Sequence, residues 1–281
     1  MKSIMIQGTT SSAGKSTIAT ALCRILYNKN LDIYPFKSQN MSRNFMLTDQ
    51  GKMISTAQYI QAYAAGKIPE EKMNPILLIP KSDIGSEIIF MGESIKSMKA
   101  VDYFEYKKTL KPMIADIYDD IASKHDIIII EGAGSPAEIN LNHDDLVNMG
   151  MAEIADADVL LVTDIDRGGA FASLYGTVML LPKKERDRIK GFIINKFRGD
   201  IKLLENGLDM IEDLTGIPVV GVIPYLHLEI ADEDSLIEYK KSSNCLDPEI
   251  LNQEIERLAK VVEENLFIDK LRGLEWSYYL L

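Results

Sequence analysis

A doubly wound α/β fold built on a mostly parallel sheet is what this 281-residue sequence predicts. Three observations carry the prediction. Short runs of continuous apolar residues recur along the chain, as strands covered on both faces require. Longer segments with helical apolar spacing separate them, the alternation that builds right-handed βαβ units. Nearly every unusual polar stretch follows directly on an apolar run, which gathers those stretches at the carboxyl rim where such sheets bind ligands.

In chain order, the strands are "SIMIQ" (Ser3–Gln7), the weaker "DIYPF" (Asp32–Phe36), "DIIII" (Asp126–Ile130), "VLLVT" (Val159–Thr163), "GFIIN" (Gly191–Asn195) and "VVGVI" (Val219–Ile223). Helical spacing covers Ser16 to Tyr27. It returns over Val101 to Ser123, where Phe104, Met113, Ile114, Ile117 and Ile121 recur, and over Ala170 to Leu181 and Leu203 to Thr215. "YPFKSQNMSRN" (Tyr34–Asn44) and "MNPILLIPKSDIGSEI" (Met73–Ile88) fit neither period well and read as polar binding loops. The body is expected to span residues 1–238. Residues 239–281 then hold a linker, "KKSSN" (Lys240–Asn244), and an amphipathic helix opened by Pro248. Its apolar face carries Ile250, Leu251, Ile255, Leu258, Val261, Val262 and Leu266, which suits packing against the body or a partner.

Composition narrows the function. With 46% hydrophobic and 26% charged residues there is ample material for a packed core. A net charge of -11 argues against nucleic acid or a membrane surface as partner, since both need a basic face. No apolar run approaches the roughly 18 residues that span a bilayer, and the N-terminus does not read as a signal peptide. Cys23 and Cys245 lack metal-type spacing, and Cys23 falls in an apolar helix pattern as a buried thiol would. A soluble, reducing, cytoplasmic setting is the expectation. His125, His143 and His227 show no ligand spacing and read as structural.

The chemistry starts at "GTTSSAGKS". Gly8 is followed by Thr9, Thr10, Ser11, Ser12 and Ala13 before Gly14-Lys15-Ser16, one residue more than the usual phosphate-binding loop. The context is nevertheless right, because the loop follows a strand and opens a helix. Small residues let backbone N–H groups reach phosphates, and the helix N-terminus adds partial positive charge. Lys15 would span the β- and γ-phosphates of ATP and the Ser16 hydroxyl would ligate Mg²⁺. Glu131 ends a buried strand, placed to hold Mg²⁺ or its water, with Gly132-Ala133-Gly134 letting the chain pass close to a ligand. "DIDRGG" brings Asp164, Asp166 and Arg167 to another helix start, where an arginine can clamp an anion. "INKFRGD" adds Asn195, suited to an adenine edge, with Lys196 and Arg198. Lys37, Gln39, Asn40 and Arg43, then Asn74, Lys81, Ser82 and Asp83, make the two remaining polar stretches.

Taken together, "QGTTSSAGKS", "PFKSQNM", "MNPILL", "SDIGS", "EGAGSPAEINL", "NMGMA", "DIDRGGAFAS", "INKFRGD", "TGIPVVGVIPYL" and "EDSL" resemble the cobyric acid synthase family, in order from about residue 2 to 236. The resemblance implies a phosphate-loop NTPase fold like that of dethiobiotin synthetase, whose relatives share the longer loop. It implies ATP-dependent amidation of peripheral carboxylates of (adenosyl)cobyrinic acid a,c-diamide through acyl phosphates, with ATP and Mg²⁺ as cofactors. Lys15, Lys37 and Glu131 are then catalytic. Gly8, Thr10, Ser11, Ser12, Ala13, Gly14, Lys15, Ser16 and Asn195 bind nucleotide, and Ser16 and Glu131 bind metal. Gln39, Asn40, Arg43, Ser135, Asp166, Arg167 and Arg198 hold the corrinoid, a polyanion that accounts for basic loops on an acidic chain.

Two departures accompany the resemblance. The family continues into a glutamine amidotransferase domain that this sequence lacks, so ammonia is expected free or from a separate glutaminase, with a homo-oligomer allowed. Where the family has "KEIGRAQ" the chain has "KMISTAQ" (Lys52–Gln58), with Met53 and Thr56 for an acid and an arginine, and Ile79 replaces a lysine in "LLIP". These changes motivate an alternative, a degenerate member that binds nucleotide or corrinoid without turnover. A partitioning-type switch ATPase would carry a second lysine early in the loop, and Thr9 to Ser12 offer none.

Overall fold

The computed structural model describes residues 2–82, 85–141, 145–227, 247–271 and 274–280. The chain runs β1 (Lys2–Gly8), α1 (Lys15–Asn28), β2 (Ile33–Phe36), β3 (Gln39–Met41), β4 (Phe45–Leu47), β5 (Met53–Ser55), α2 (Thr56–Ala64), β6 (Ile76–Ser82), β7 (Gly85–Phe90), β8 (Glu93–Lys99) and α3 (Ala100–Ala122). It continues with β9 (Ile127–Glu131), α4 (Met149–Ile154), β10 (Asp158–Asp164), α5 (Ala170–Leu180), α6 (Lys183–Arg186), β11 (Ile189–Phe197), α7 (Glu205–Thr215), β12 (Val219–Pro224) and α8 (Pro248–Glu264).

Among these residues, β12-β11-β10-β1-β9-β2 form one six-stranded sheet, parallel throughout. The continuous apolarity of its strands is explained by helices on both faces. Ile4 and Ile6 join α1 residues Ile18, Leu22 and Leu26 in one core, while Met5 joins Ile114 of α3 and Leu174 of α5 in another. All six predicted strands are present. The weak one, with Pro35 inside it, lies at the sheet edge, where a missing N–H is tolerated.

The helix over residues 101–123 is present, and its buried stripe matches the predicted one at Ile114 and Ile121, with Ile117 partly buried against the core. Phe104 and Met113 are exposed, and the stripe runs Tyr103, Lys107, Leu110, Ile114, Tyr118 and Ile121. The amphipathic C-terminal helix packs on α1. Leu258 and Val262 share a core with Leu22, and Arg24 Nη1 donates to Glu256 Oε1 at 2.8 Å. Asp247 caps it by accepting from Glu249 N, ahead of Pro248 at the first helical turn. The "KKSSN" and "EDSL" segments, Cys245, His143 and Asp83 lie outside the described residues.

The expectation of irregular loops at 34–44 and 73–88 is corrected. β3, β6, β7 and β8 make a second, mixed sheet, with β3 parallel to β6 and the other two pairings antiparallel. Pro75 and Pro80 masked the strand in the sequence. In the structure Pro80 sits at a register shift in β6, a place where a proline costs no regular ladder bond. Alternation then sorts this sheet into two faces. Leu78, Pro80 and Ile88 face a cavity against the main body, while Leu77, Ile79 and Ile89 form a separate cluster with Met53.

Candidate nucleotide and substrate site

The long loop closes on itself through backbone geometry. Ser12 (φ 57) and Gly14 (φ 100) both lie in the left-handed region, which accommodates the extra residue and turns successive N–H groups inward. Asn195 supports the turn from β11, its amide donating to Ala13 O at 3.0 Å. A Cβ on Gly14 would overlap that amide, so glycine is required there twice over. Thus Asn195, expected to read adenine, already has one N–H engaged in holding the loop. Lys196, at φ 62, holds the same turn from the side: Nζ donates to Ser12 O (2.7 Å) and Asp164 Oδ2 (3.0 Å).

Lys15, only 4% exposed, folds back over the loop and donates to Thr10 O and Gly134 O. Behind it stands the buried centre of the site. Glu131, at the end of β9, is fully buried as a side chain. Oε1 accepts from Ser16 Oγ at 2.7 Å and from Lys37 Nζ at 2.8 Å. Oε2 accepts from Gln58 and Gln61 of α2. Burial alone would push this carboxyl up, but the Lys37 ammonium and the hydrogen bonds from Lys37, Ser16 and Gln61 outweigh it and hold the group below the usual carboxylate range.

Lys37 is pinned by its own backbone. Its N–H donates to Met73 O and its carbonyl accepts from Asn74 Nδ2, while Asn74 Oδ1 accepts from Ser55 N. Ser55 caps α2 through Gln58 N, so the "MNP" stretch, β2 and α2 form one buried bracket around Glu131. Gln58 and Gln61 were not anticipated as site residues. Their signal was available, two polar side chains three apart on the apolar face of "AQYIQAYAA".

A cavity of about 560 Å³ opens beside Lys15 and Lys37. Of the residues expected to bind substrate, Gln39, Asn40 and Ser135 line it. Gln39 Oε1 accepts from Tyr103 of α3, and Asn40 Nδ2 donates weakly to Gln58. The other four do not line this cavity. Arg43 is exposed between β3 and β4. Asp166, Arg167 and Arg198 follow β10 and β11, on the opposite side of β1 from β9 and β2. Arg198 bonds Asp166 at 2.9 Å and stacks 3.5 Å over the Tyr225 ring, and Arg167 lies 3.6 Å from Asp164. Sequence adjacency to strand ends was right for all of them; the side of the sheet was decided by strand order.

Ser16 Oγ and Glu131 Oε1 are hard oxygen donors within hydrogen-bond distance of one another, a set that suits Mg²⁺. No group of three or more His, Cys, Asp or Glu side chains is gathered among the described residues, so phosphate and water would complete the shell of such an ion.

The departures at Met53 and Ile79 occur together in space. Both sit in the small cluster with Leu77 and Ile89, on the face of the second sheet that points away from the cavity. Both side chains are apolar contacts there and do not line the cavity. Met53→Glu should therefore destabilise the fold by roughly 1–3 kcal/mol. Met53→Glu with Ile79→Lys should be less destabilised than the sum of the single changes, because the new charges meet. Urea unfolding of the three variants measures this coupling, and strict additivity would refute it.

Comparison with known proteins follows this geometry. A family model described as CobQ/CobB/MinD/ParA nucleotide binding domain matches residues 4–236. The chain is 56% identical over 242 residues to a cobyric acid synthase of Streptococcus sanguinis, covering 86% of this chain and 48% of that relative. It is 55% identical over 250 residues to a cobyric acid synthase of Listeria monocytogenes serotype 4a, covering 88% and 49%. The chain thus spans about half the length of the curated relatives it matches. Among solved structures it is similar to the MinD cell division protein of Aquifex aeolicus at 13% identity and a TM-score of 0.42, over 80% of this chain and 83% of that one. No helix among the described residues is long and apolar enough to cross a membrane.

Proposed function

The chain belongs to the CobQ/CobB/MinD/ParA nucleotide-binding family, and on that premise we propose that it is the ATP-dependent amide-ligase unit of a cobyric acid synthase. Its substrate is a corrinoid carboxylate of (adenosyl)cobyrinic acid a,c-diamide. The observation that carries the reading is the joining of a phosphate loop to a partly apolar cavity, with Lys15, Lys37, Gln39, Asn40 and Ser135 on its wall.

A carboxylate is a poor electrophile. One of its oxygens would attack the γ-phosphorus of ATP, ADP would leave, and the acyl phosphate would then lose phosphate to attacking ammonia. Lys15 and the loop N–H groups are placed to offset the charge that builds on the transferring phosphoryl group. Lys37, held on Glu131, presents a fixed cation where that group meets the substrate. Ser16 and Glu131 would hold Mg²⁺, which supplies charge neutralisation between phosphate oxygens. Tyr103 and Gln39 fix the opposite wall, so the substrate carboxylate is oriented rather than free. The hydrogen bonds of the bracket around Glu131 are all made, with Thr56 at the first position of α2 making none of them and Met53 and Ile79 standing outside it, which favours turnover over mere binding.

The test is mass spectrometry of adenosylcobyrinic acid a,c-diamide incubated with the protein, Mg-ATP and an ammonium salt. Successive replacement of carboxyl OH by NH₂, dependent on ATP, is expected. Substrate that stays unchanged while ATP is bound would sink the ligase reading. Free ammonia suffices in this experiment, and the natural source is proposed to be a glutaminase activity.

A further inference from the structure

Gln7 interrupts the apolar run of β1 just before the phosphate loop. It is 0% exposed, and its amide is poorly matched to its neighbours. Nε2 points at the thioether sulphurs of Met5 (3.4 Å) and Met149 (3.7 Å), and Oε1 accepts no hydrogen bond among the described residues. A thioether is a weak acceptor, so both atoms of this buried amide are short of partners. A methionine would fill the same space without that penalty.

A second stranded acceptor lies beside it. Asn148, 4% exposed, stands at the start of α4 on the cavity wall. Its Nδ2 donates to Ala133 O at 2.7 Å, which fixes the amide and leaves Oδ1 without a partner among the described residues. Gly132 separates the two amides: a Cβ there would overlap Asn148 Oδ1 and crowd Gln7 Cγ. Ile6 pairs with Glu131, so alternation puts Gln7 on the opposite sheet face from that carboxylate. From Gly132 the chain passes to Ala133 and Gly134 on the cavity wall, where Gly134 O accepts from Lys15 Nζ. Asp145 is the carboxylate near Asn148, and its oxygens are taken by the N–H groups of Val147, Asn148 and Gly150.

We infer that the Gln7 and Asn148 carbonyl oxygens hold the ammonia that attacks the acyl phosphate. The inference rests on the ligase reading and assigns a place to its nitrogen substrate. Ammonia can give its N–H bonds to two carbonyl oxygens and keep its lone pair for the acyl carbon. The C–N bond forms, the bond from that carbon to the phosphate oxygen breaks, and one proton passes from nitrogen to the departing phosphate. Neutral amides suit this task better than acids. A carboxylate would favour ammonium, which has no lone pair to offer.

The test is a split between kinetic constants, read by amide formation with ammonium chloride varied and Mg-ATP and adenosylcobyrinic acid a,c-diamide saturating. Gln7→Met should raise KM for ammonium about three- to tenfold, the equivalent of one hydrogen bond. Its kcat, and its KM for ATP and for the corrinoid, should stay within about twofold of wild type. Its melting temperature should hold or rise, because the stranded carbonyl is gone and methionine suits Met5 and Met149. Asn148→Ala should raise the same constant, and it carries the comparison if Gln7→Met does not fold. An unchanged KM for ammonium in either folded variant, or equal losses toward all the substrates, overturns the inference and leaves the two carbonyls to ordered water only. Wild-type protein that makes no amide at any ammonium concentration overturns the ligase reading and this inference with it.

Discussion

Replacing Lys37 with methionine is expected to cost about 3–5 kcal/mol of stability, the scale of breaking a buried ion pair from one side. Glu131 would keep its hydrogen bonds from Ser16, Gln58 and Gln61 but lose the ammonium that opposes its burial. The pH dependence follows from the sign of the shift. In the wild type the folded carboxyl lies below its ordinary value of 4.5, so its contribution is present above that value and is lost as pH falls through the lower, folded one. In Lys37→Met burial dominates and the folded carboxyl rises above the unfolded one. The group then takes up a proton on folding, and its cost is largest at neutral pH. The deficit relative to wild type should therefore shrink between about pH 8 and about pH 5 in urea unfolding. An equal deficit at both would show that Lys37 is not what holds Glu131 ionised. Adding Glu131→Gln to Lys37→Met should recover part of the loss, since the stranded charge is gone.

The second large effect is at Lys15. Its side chain packs over Gly8 and reaches the carbonyls of Thr10 and Gly134, on the wall of the cavity. Lys15→Ala should lower single-turnover ATP consumption on the order of 10²–10³-fold, the loss seen when one preorganised donor is removed from a developing charge. The melting temperature should move little, because the carbonyls it releases lie next to the cavity. Lys15→Arg should not rescue, since a planar guanidinium cannot follow the ammonium into so short a turn. A rate within threefold of wild type would remove Lys15 from the phosphoryl-transfer step and take the loop argument with it.

Much of this site was legible before any coordinates, and the legible part has a common character. The strands, the loop from Gly8 to Ser16 and the acid ending β9 are statements about contiguous residues. A continuous apolar run, a run of small residues before Gly-Lys-Ser, and an acid at the end of such a run each carry their own physical reason. The second sheet was not legible because its signal is interrupted. "ILLIP" is broken by Pro80, and β8 reads "ESIKSMK", in which every residue but Met98 is exposed. The stripe of α3 was legible at Ile114 and Ile121 but not at its start, for a related reason: the apolar Phe104 drew the pattern off Tyr103 and Lys107, and a lysine does not count toward an apolar period.

The sequence by itself determined the doubly wound sheet, the phosphate loop and the residue types on its rim, because each depends on neighbours along the chain. Tertiary structure alone decided who meets whom. Lys37 and Glu131 are 94 residues apart and become an ion pair because β9 is inserted between β1 and β2. Arg167 and Arg198 are parted from the cavity because β10 and β11 lie on the other side of β1. Met53 and Ile79 become neighbours through the pleat of a sheet the sequence did not announce. Strand order and register are set by packing of the whole core, and no local period encodes them.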